Sequence, residues 1–365
     1  MKHKALESSA SIKDCLKASS VPKKLMKPNA KIGKPIWLPQ KLRVSLGTAI
    51  ALGLADGKLQ ALPTTAYLMT YRAGRCNANC GFCSQARESQ SSPSMLSRVS
   101  WPAFQTEEAL EAINKNLSKK GIRRICVQAL NYPGVFKHLT SVVAQIRSMS
   151  NVSVSVSCQP SKTRDLQQLA DAGVERVGIP LDAATESIFD RIKGRQAGGP
   201  YCWKKQFHML KEALRIFGEG NVTTHLIVGL GETEKEMVKI IQECVDIGVL
   251  PALFAFTPVR GTRMQNVTPP PIREYRRIQI ARFLVLSRAS RFEKMHFAEG
   301  HITDFGVTEN LLRRIVSDGE AFRTSGCPDC NRPYYNERPT GPMYNYPRKP
   351  KLEEISEIEE QIGLD

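Results

Sequence analysis

Cys76, Cys80 and Cys83 stand in the run Cys76-Asn77-Ala78-Asn79-Cys80-Gly81-Phe82-Cys83, directly after a short apolar segment. If the three thiolates act together, the chain must fold there into one tight loop. Soft sulfur donors at such spacing select an iron-sulfur cluster or zinc. A structural zinc site closes its shell with four ligands. Three thiolates can instead hold three irons of a [4Fe-4S] cluster and leave the fourth iron open to a ligand. A partial zinc knuckle, or three unrelated buried cysteines, are the alternatives that the spacing leaves open.

With 365 residues and 41% hydrophobic content, the chain can bury one large α/β barrel or two smaller domains. No apolar run approaches the length of a membrane span, and the lysine-dotted N-terminus has no signal-peptide core. The expectation is a soluble cytoplasmic protein with no membrane partner. Five of the ten cysteines fall in CxxxCxxC and CxxC clusters, which points to metal binding in a reducing compartment rather than to a secreted disulfide framework. The formal charge of +17 comes from 52 Lys+Arg against 35 Asp+Glu, with basic residues dense in Lys2 to Lys34 and in Arg273 to Arg291. Such a field draws either nucleic acid or an acidic protein that carries the substrate, and charge alone does not choose between them.

Residues 1–34 are basic, rich in Lys, Ser and Pro and without apolar periodicity, the composition of a mobile arm. Leu42, Leu46, Ile50 and Leu54 recur at helical spacing, so 35–62 is expected to be a helical extension, with its helix over 38–59 closed by Gly57. Over 63–330, short β-rich runs (66–70, 124–129, 152–157, 176–179, 222–228, 252–257, 294–297, 320–323) alternate with amphipathic stretches (104–119, 135–148, 165–172, 204–217, 232–247, 272–290, 308–317). The alternation predicts an α/β fold, a (β/α) TIM-type barrel of eight repeats, or of six repeats plus a C-terminal appendage. The tail, 331–365, carries Pro, Tyr and Arg up to Pro350 and is expected to wrap the domain surface, while Leu352 to Ile362 has the pattern of a short acidic helix.

In a parallel barrel the loops that follow the strands open on one face, and that face holds the active site. The Cys76 loop follows the first predicted strand, Cys126 lies within the second, Cys158 ends the third, and Cys327-Pro328-Asp329-Cys330 follows the last. Converging inside or above the barrel, Cys126, Cys158, Cys327 and Cys330 would supply four thiolates for a second cluster. Taken singly, Cys126 and Cys158 read as small buried hydrophobes, and Cys327 with Cys330 as half of a zinc ribbon. Cys15, Cys202 and Cys244 lie in the arm or on helix candidates and are set aside. Val228-Gly229-Leu230-Gly231-Glu232-Thr233 opens a helix on the same face, with glycines that let a ligand approach the backbone. The Thr233 and Glu234 region reads equally as an N-cap. Asp182, after the fourth strand, could bind a ribose or substrate polar group or cap a helix; His225, inside the fifth, reads as a packed histidine.

This ordered series resembles the biotin synthase branch of the radical S-adenosylmethionine (SAM) superfamily, over roughly Leu38 to Cys330. The resemblance implies that Cys76, Cys80 and Cys83 hold a [4Fe-4S] cluster whose open iron binds SAM, and that an electron from the cluster splits SAM to a 5′-deoxyadenosyl radical. It implies SAM contacts at Phe82, Asp182, Gly229, Gly231 and Glu232. In biotin synthase, cysteines at the places of Cys126 and Cys158 help hold a second cluster that donates sulfur. That family's third cysteine, which belongs near Thr223, is absent here, and 294–297 offers no secure counterpart to its arginine ligand.

The ending from Ser325 to Pro339, with Cys327 and Cys330, resembles instead one component of the two-subunit archaeal-type lipoyl synthase, which inserts sulfur into protein-bound octanoyl chains. It implies an auxiliary Fe-S cluster, taken as [4Fe-4S], at Cys126, Cys158, Cys327 and Cys330, with no catalytic side chain beyond the clusters. The implied partners are an octanoylated acidic carrier protein or lipoyl domain, a second radical SAM subunit and an electron donor such as ferredoxin; nucleic acid is disfavoured. The alternatives are a biotin synthase-like or other radical SAM enzyme of small-molecule cofactor biosynthesis and, from another class, a zinc-containing RNA-binding protein.

Overall fold

The computed structural model describes residues 37–117, 121–337 and 340–363, so the basic arm expected at 1–34 lies outside the described residues. The described chain opens with β1 (Lys41–Val44), the short helix α1 (Leu46–Leu52) and β2 (Thr65–Thr70). A small hairpin of β3 (Met95–Leu96) and β4 (Val99–Ser100) and the edge strand β5 (Ala103–Gln105) come next. Strands and helices then alternate: α2 (Thr106–Asn116), β6 (Arg124–Gln128), α3 (Val135–Met149), β7 (Ser153–Ser157), α4 (Thr163–Asp171), β8 (Arg176–Gly178), α5 (Glu186–Ile192), α6 (Trp203–Phe217), β9 (Val222–Val228), α7 (Glu234–Asp246), β10 (Leu250–Ala255) and α8 (Ile272–Leu286). β2, β6, β7, β8, β9 and β10 pair in parallel in that order, while β1 pairs antiparallel with β2 and β5 outside them. The fold is a partial (β/α) barrel of six repeats, the second of the two architectures that the alternation allows.

Strand register explains what this barrel encloses. Leu68, Val127, Val156, Val177 and Val222 are partners in one row across five strands, and each is 0–1% exposed beneath the helices. Burying side chains of this size stabilises by about 1.5–3 kcal/mol each. Successive side chains point to opposite sides of a strand, so the neighbouring rows face inward. Tyr67, Cys126, Ser155 and Arg176 make one inner row; Met69, Gln128, Ser157, Gly178 and Thr223 make the next, toward the C-terminal ends. Aliphatic groups face the helices, and thiol, hydroxyl and amide groups line the interior.

The expected seventh and eighth strands do not join this sheet. Residues 292–294 and 320–322 form single 3₁₀ turns, and β11 (His296–Ala298) pairs only with β12 (His301–Asp304). Glu299 and Gly300, at φ +49° and +86°, make a two-residue hairpin turn that folds β11 back on its neighbour instead of toward β10. The helix expected over 38–59 is also corrected. Leu42 and Val44 are fully buried in β1, Ser45 caps α1, and Gly53 in the left-handed conformation ends it; Leu46 is 39% exposed.

The tail is not confined to the surface. Ser325 Oγ accepts the Leu253 N–H of β10 at 2.7 Å, and Asn331 Oδ1 accepts the Thr64 N–H before β2 at 3.0 Å, so this segment spans the barrel's open side. Covering a sheet edge in this way protects its unpaired backbone groups. Tyr344, Asn345 and Tyr346 are buried, with Tyr275 of α8 donating to Asn345 Oδ1 at 3.0 Å. After α9 (Glu309–Asp318), the acidic helix forms as α10 (Leu352–Ile362). No helix among the described residues is long and apolar enough to cross a membrane.

Candidate active site

The loop after β2 is pinned by its backbone and by one side-chain amide. Asn77 N–H donates to Asn131 O at 2.7 Å, Gly81 N–H to Ile192 O at 2.7 Å, and Asn79 Nδ2 to Ala197 O at 2.8 Å. So held, Cys76, Cys80 and Cys83 border one cavity of about 790 Å³ inside the barrel. Burial raises all three thiols, Cys83 to about 12, and the charges of neighbouring thiolates push Cys80 and Cys83 the same way. Lys193 opposes this at Cys76 and Cys80. Three crowded, buried thiols do not ionise unaided at neutral pH, and a bound cationic centre inverts that logic. The donor set fits a [4Fe-4S] cluster with one open iron.

Asp182 and Lys193 form the charged wall beside this loop. Lys193 Nζ, in a residue 1% exposed, donates to Asp182 Oδ2 at 2.6 Å and Pro180 O at 2.9 Å, and lies 5.1 Å from the Tyr201 ring. Asp182 sits at φ +67°, held there by its N–H on His225 O at 2.7 Å and by the Ile227 N–H on its own carbonyl at 2.8 Å. It caps no helix, since Thr185 caps α5. Lys193 follows α5, a helix absent from the sequence pattern, and no motif marked it. Removing one partner of a buried pair leaves the other charge uncompensated. Lys193→Met is therefore expected to destabilise the fold by about 3–5 kcal/mol. Urea unfolding should show the Asp182→Asn, Lys193→Met double variant losing less.

The second group of thiols assembles from the other end of the barrel. The Cys327 to Cys330 loop docks at the N-terminal ends of the strands, opposite the end that carries Cys76. There Thr64 Oγ1 donates to Asp329 O, Arg123 pairs with Asp329 at 2.9 Å, and Arg124 Nε donates to Pro328 O at 3.4 Å. From this end both thiols reach Cys126 in the inner row. Burial raises Cys126 to about 12, the charges of Cys327 and Cys330 add to the rise, and hydrogen bonds from Ser155 and Gln128 oppose it. Gln128 Nε2 lies 3.1 Å from Cys126 Sγ, and Tyr67 Oη 3.4 Å from Cys330 Sγ.

Cys158 stands one residue beyond the end of β7 and borders the large cavity, but no other thiol acts on it: burial raises its thiol, helped by Asp165. All four expected thiols, Cys126, Cys158, Cys327 and Cys330, thus border the same cavity as the Cys76 loop, with Cys126, Cys327 and Cys330 acting on one another. Thr223, near which biotin synthase carries its third cysteine, lies one inner row above Cys126 beside Gly178.

Phe82 and Asp182 border the large cavity, but Gly229, Gly231 and Glu232 do not. They line a second cavity of about 600 Å³ that also touches Gly81 and Arg191. A Cβ on Gly229, at φ +101°, would lie 2.8 Å from Pro270 Cδ, so the close approach there is made by the protein itself. The Glu232 carboxylate accepts the N–H groups of Gly229 at 2.7 Å and Leu230 at 3.0 Å, and burial raises its pKa. Thr233 and Glu236 form the capping box of α7. These bonds order the turn that follows β9, beside Gly81 of the Cys76 loop. His225 packs 4.8 Å from the Phe254 ring, as a strand histidine should, yet also borders the large cavity; burial lowers its pKa to about 4 and keeps it neutral.

Residues 71–244 match the family model described as the radical SAM superfamily. Biotin synthase 2 of Corynebacterium diphtheriae is 25% identical over 285 residues, covering 68% of this chain and 78% of that protein. The biotin synthase of Mycobacterium avium is 26% identical over 271 residues, covering 72% and 73%. Among solved structures, HydG, a maturase of the [FeFe]-hydrogenase, superimposes with a TM-score of 0.50 at 12% identity, over 70% of this chain and 62% of that one. That last likeness is one of fold.

Proposed function

We propose that this chain, whose residues 71–244 match the radical SAM superfamily model, is a radical SAM enzyme of sulfur insertion, a lipoyl synthase component acting on a protein-bound octanoyl chain. The observation that carries this reading is that the three thiols of the Cys76 loop and the group of Cys126, Cys327 and Cys330, with Cys158 beside them, border a single cavity from opposite ends of the barrel. Attack on an unactivated C–H bond is beyond any acid or base in the cavity, so bound cofactors must supply the reactivity. In this reading a cluster at Cys76, Cys80 and Cys83 with SAM supplies a 5′-deoxyadenosyl radical, and an auxiliary cluster at Cys126, Cys327 and Cys330 supplies sulfur.

The chain's own residues bind, orient and exclude water. Asp182, its carboxylate fixed by Lys193, offers an acceptor beside the Cys76 loop, and Phe82 gives that end an apolar wall. Tyr335 of the tail stands 5.8 Å from Phe254 and, with it, adds an aromatic wall to the cavity. A surface of +17 formal charge suits an acidic carrier domain bearing the octanoyl group. A second radical SAM subunit and a ferredoxin-like electron donor complete the proposed assembly.

The biotin synthase relatives favour a second reading, thiolation of dethiobiotin. Thr223 stands against a biotin-type ligand set. Anaerobic incubation with SAM, reductant and either an octanoyl-lysine peptide or dethiobiotin, with and without the partner subunit, separates the two by mass spectrometry. Sulfur is expected on the octanoyl peptide; sulfur on dethiobiotin alone would contradict the lipoyl assignment.

A further inference from the structure

Arg124 and Arg176 act on Cys327, Arg332 borders the cavity two residues after Cys330, and each holds a buried N–H without a hydrogen-bond acceptor: Arg124 Nη1, Arg176 Nε and Arg332 Nε. Most buried polar groups in proteins are satisfied, and leaving one unmade is costly. Three of them therefore require an explanation. Each arginine is otherwise well anchored. Arg124 Nη2 donates to Glu175 at 3.2 Å, Arg176 Nη1 donates to Gly220 O, and Arg332 Nη2 donates to Ser325 O at 2.7 Å with its guanidinium 3.8 Å from the Phe254 ring. Their positions are set by the fold, and their remaining donors are left over.

Position directs those donors to the thiols, and for Arg124 and Arg176 charge does as well. Arg176 is in the same inner row as Cys126, Arg124 begins the strand that carries Cys126, and Arg332 follows Cys330 by two residues. Tyr67 Oη accepts the Arg332 backbone N–H at 2.9 Å and meets Cys330 Sγ at 3.4 Å. At Cys327 the rise caused by burial and Cys330 is opposed by Arg124 and Arg176. Glu175 is shared between Arg124 and Arg176, at 3.2 Å and 3.7 Å, and Arg332 has no ion pair among the described residues. The group retains positive charge, although buried charges are normally paired.

We propose that Arg124, Arg176 and Arg332 form a cationic cradle that donates hydrogen bonds to the anionic sulfur of the auxiliary cluster and holds that sulfur in place for transfer. The proposal rests on the two-cluster reading above. These are positioning residues, since hydrogen bonds and positive charge at cluster sulfurs set the reduction potential. Removing one donor should make the reduced, more negative state harder to reach.

The test is an EPR-monitored redox titration of anaerobically prepared full-length protein as wild type, Arg332→Met, Arg176→Met and Arg332→Lys. The expected result is a shift of the auxiliary potential to lower values in both methionine variants and an intermediate value for Arg332→Lys, with the Cys76-loop potential and 5′-deoxyadenosine yield unchanged. Auxiliary potentials equal to wild type in all three variants would overturn the cradle and leave the two-cluster reading intact. A single cluster in the wild-type protein would defeat the two-cluster reading and the cradle with it. Should one methionine variant fail to fold, the other and the lysine variant read the same quantity.

Discussion

Cys80→Ala is expected to abolish formation of 5′-deoxyadenosine from SAM. Cys80 is the middle of three thiols on a loop whose shape is set elsewhere, by the backbone bonds of Asn77 and Gly81 and by the Asn79 amide. Its side chain faces the cavity instead of filling the aliphatic core, so truncation leaves no large void there. The variant should therefore fold and unfold much like the wild type. What it loses is one of three iron ligands, and two thiolates on this loop cannot hold a four-iron centre with a single open position. Product analysis under anaerobic, reducing conditions is the check, and SAM cleavage near the wild-type rate would remove the main argument for the loop's role.

The double variant Cys327→Ala, Cys330→Ala is expected to behave in the opposite way. It should still form 5′-deoxyadenosine, because its changes lie at the N-terminal ends of the strands, away from Cys76, Cys80 and Cys83. It should add no sulfur to the octanoyl peptide, because only Cys126 of the second group would remain. The loop itself has other anchors, including Arg123 on Asp329 at 2.9 Å and Thr64 on Asp329 O, so the tail should stay docked. Full thiolation by this variant would sink the auxiliary site. Cys158→Ala is the natural comparison, since no other thiol acts on Cys158, and it should keep 5′-deoxyadenosine formation.

How much of this was legible depended on the range of the interactions. The Cys76 loop was readable because its three donors lie in one short run, so local chain geometry brings them together. The parallel strands were readable because aliphatic residues such as Val127, Val156 and Val177 are needed under the helices. The 42–54 periodicity misled because it spans two elements, a strand that buries Leu42 and a helix that begins at Leu46. Residues 294–297 looked like a strand and are one in part, but the Glu299-Gly300 turn spends β11 on a local hairpin.

The second site was half legible. Cys126, Cys327 and Cys330 were visible as donors, but the end from which the last two enter depends on a tail that crosses from β10 to the start of β2. Cys158 lies just past the end of β7, three residues beyond Ser155, the register partner of Cys126, so its place relative to the other thiols follows from the turn after the strand and not from the strand pattern. Lys193 had no signal, because its partner Asp182 is reached only through the fold.

The central claim is that two separate clusters share one cavity, and counting metal tests it most directly. Iron and acid-labile sulfide should be measured in anaerobically prepared wild type and in the Cys327→Ala, Cys330→Ala variant. The account predicts about eight irons per wild-type chain and about four in the double variant. About four irons in both proteins would contradict it.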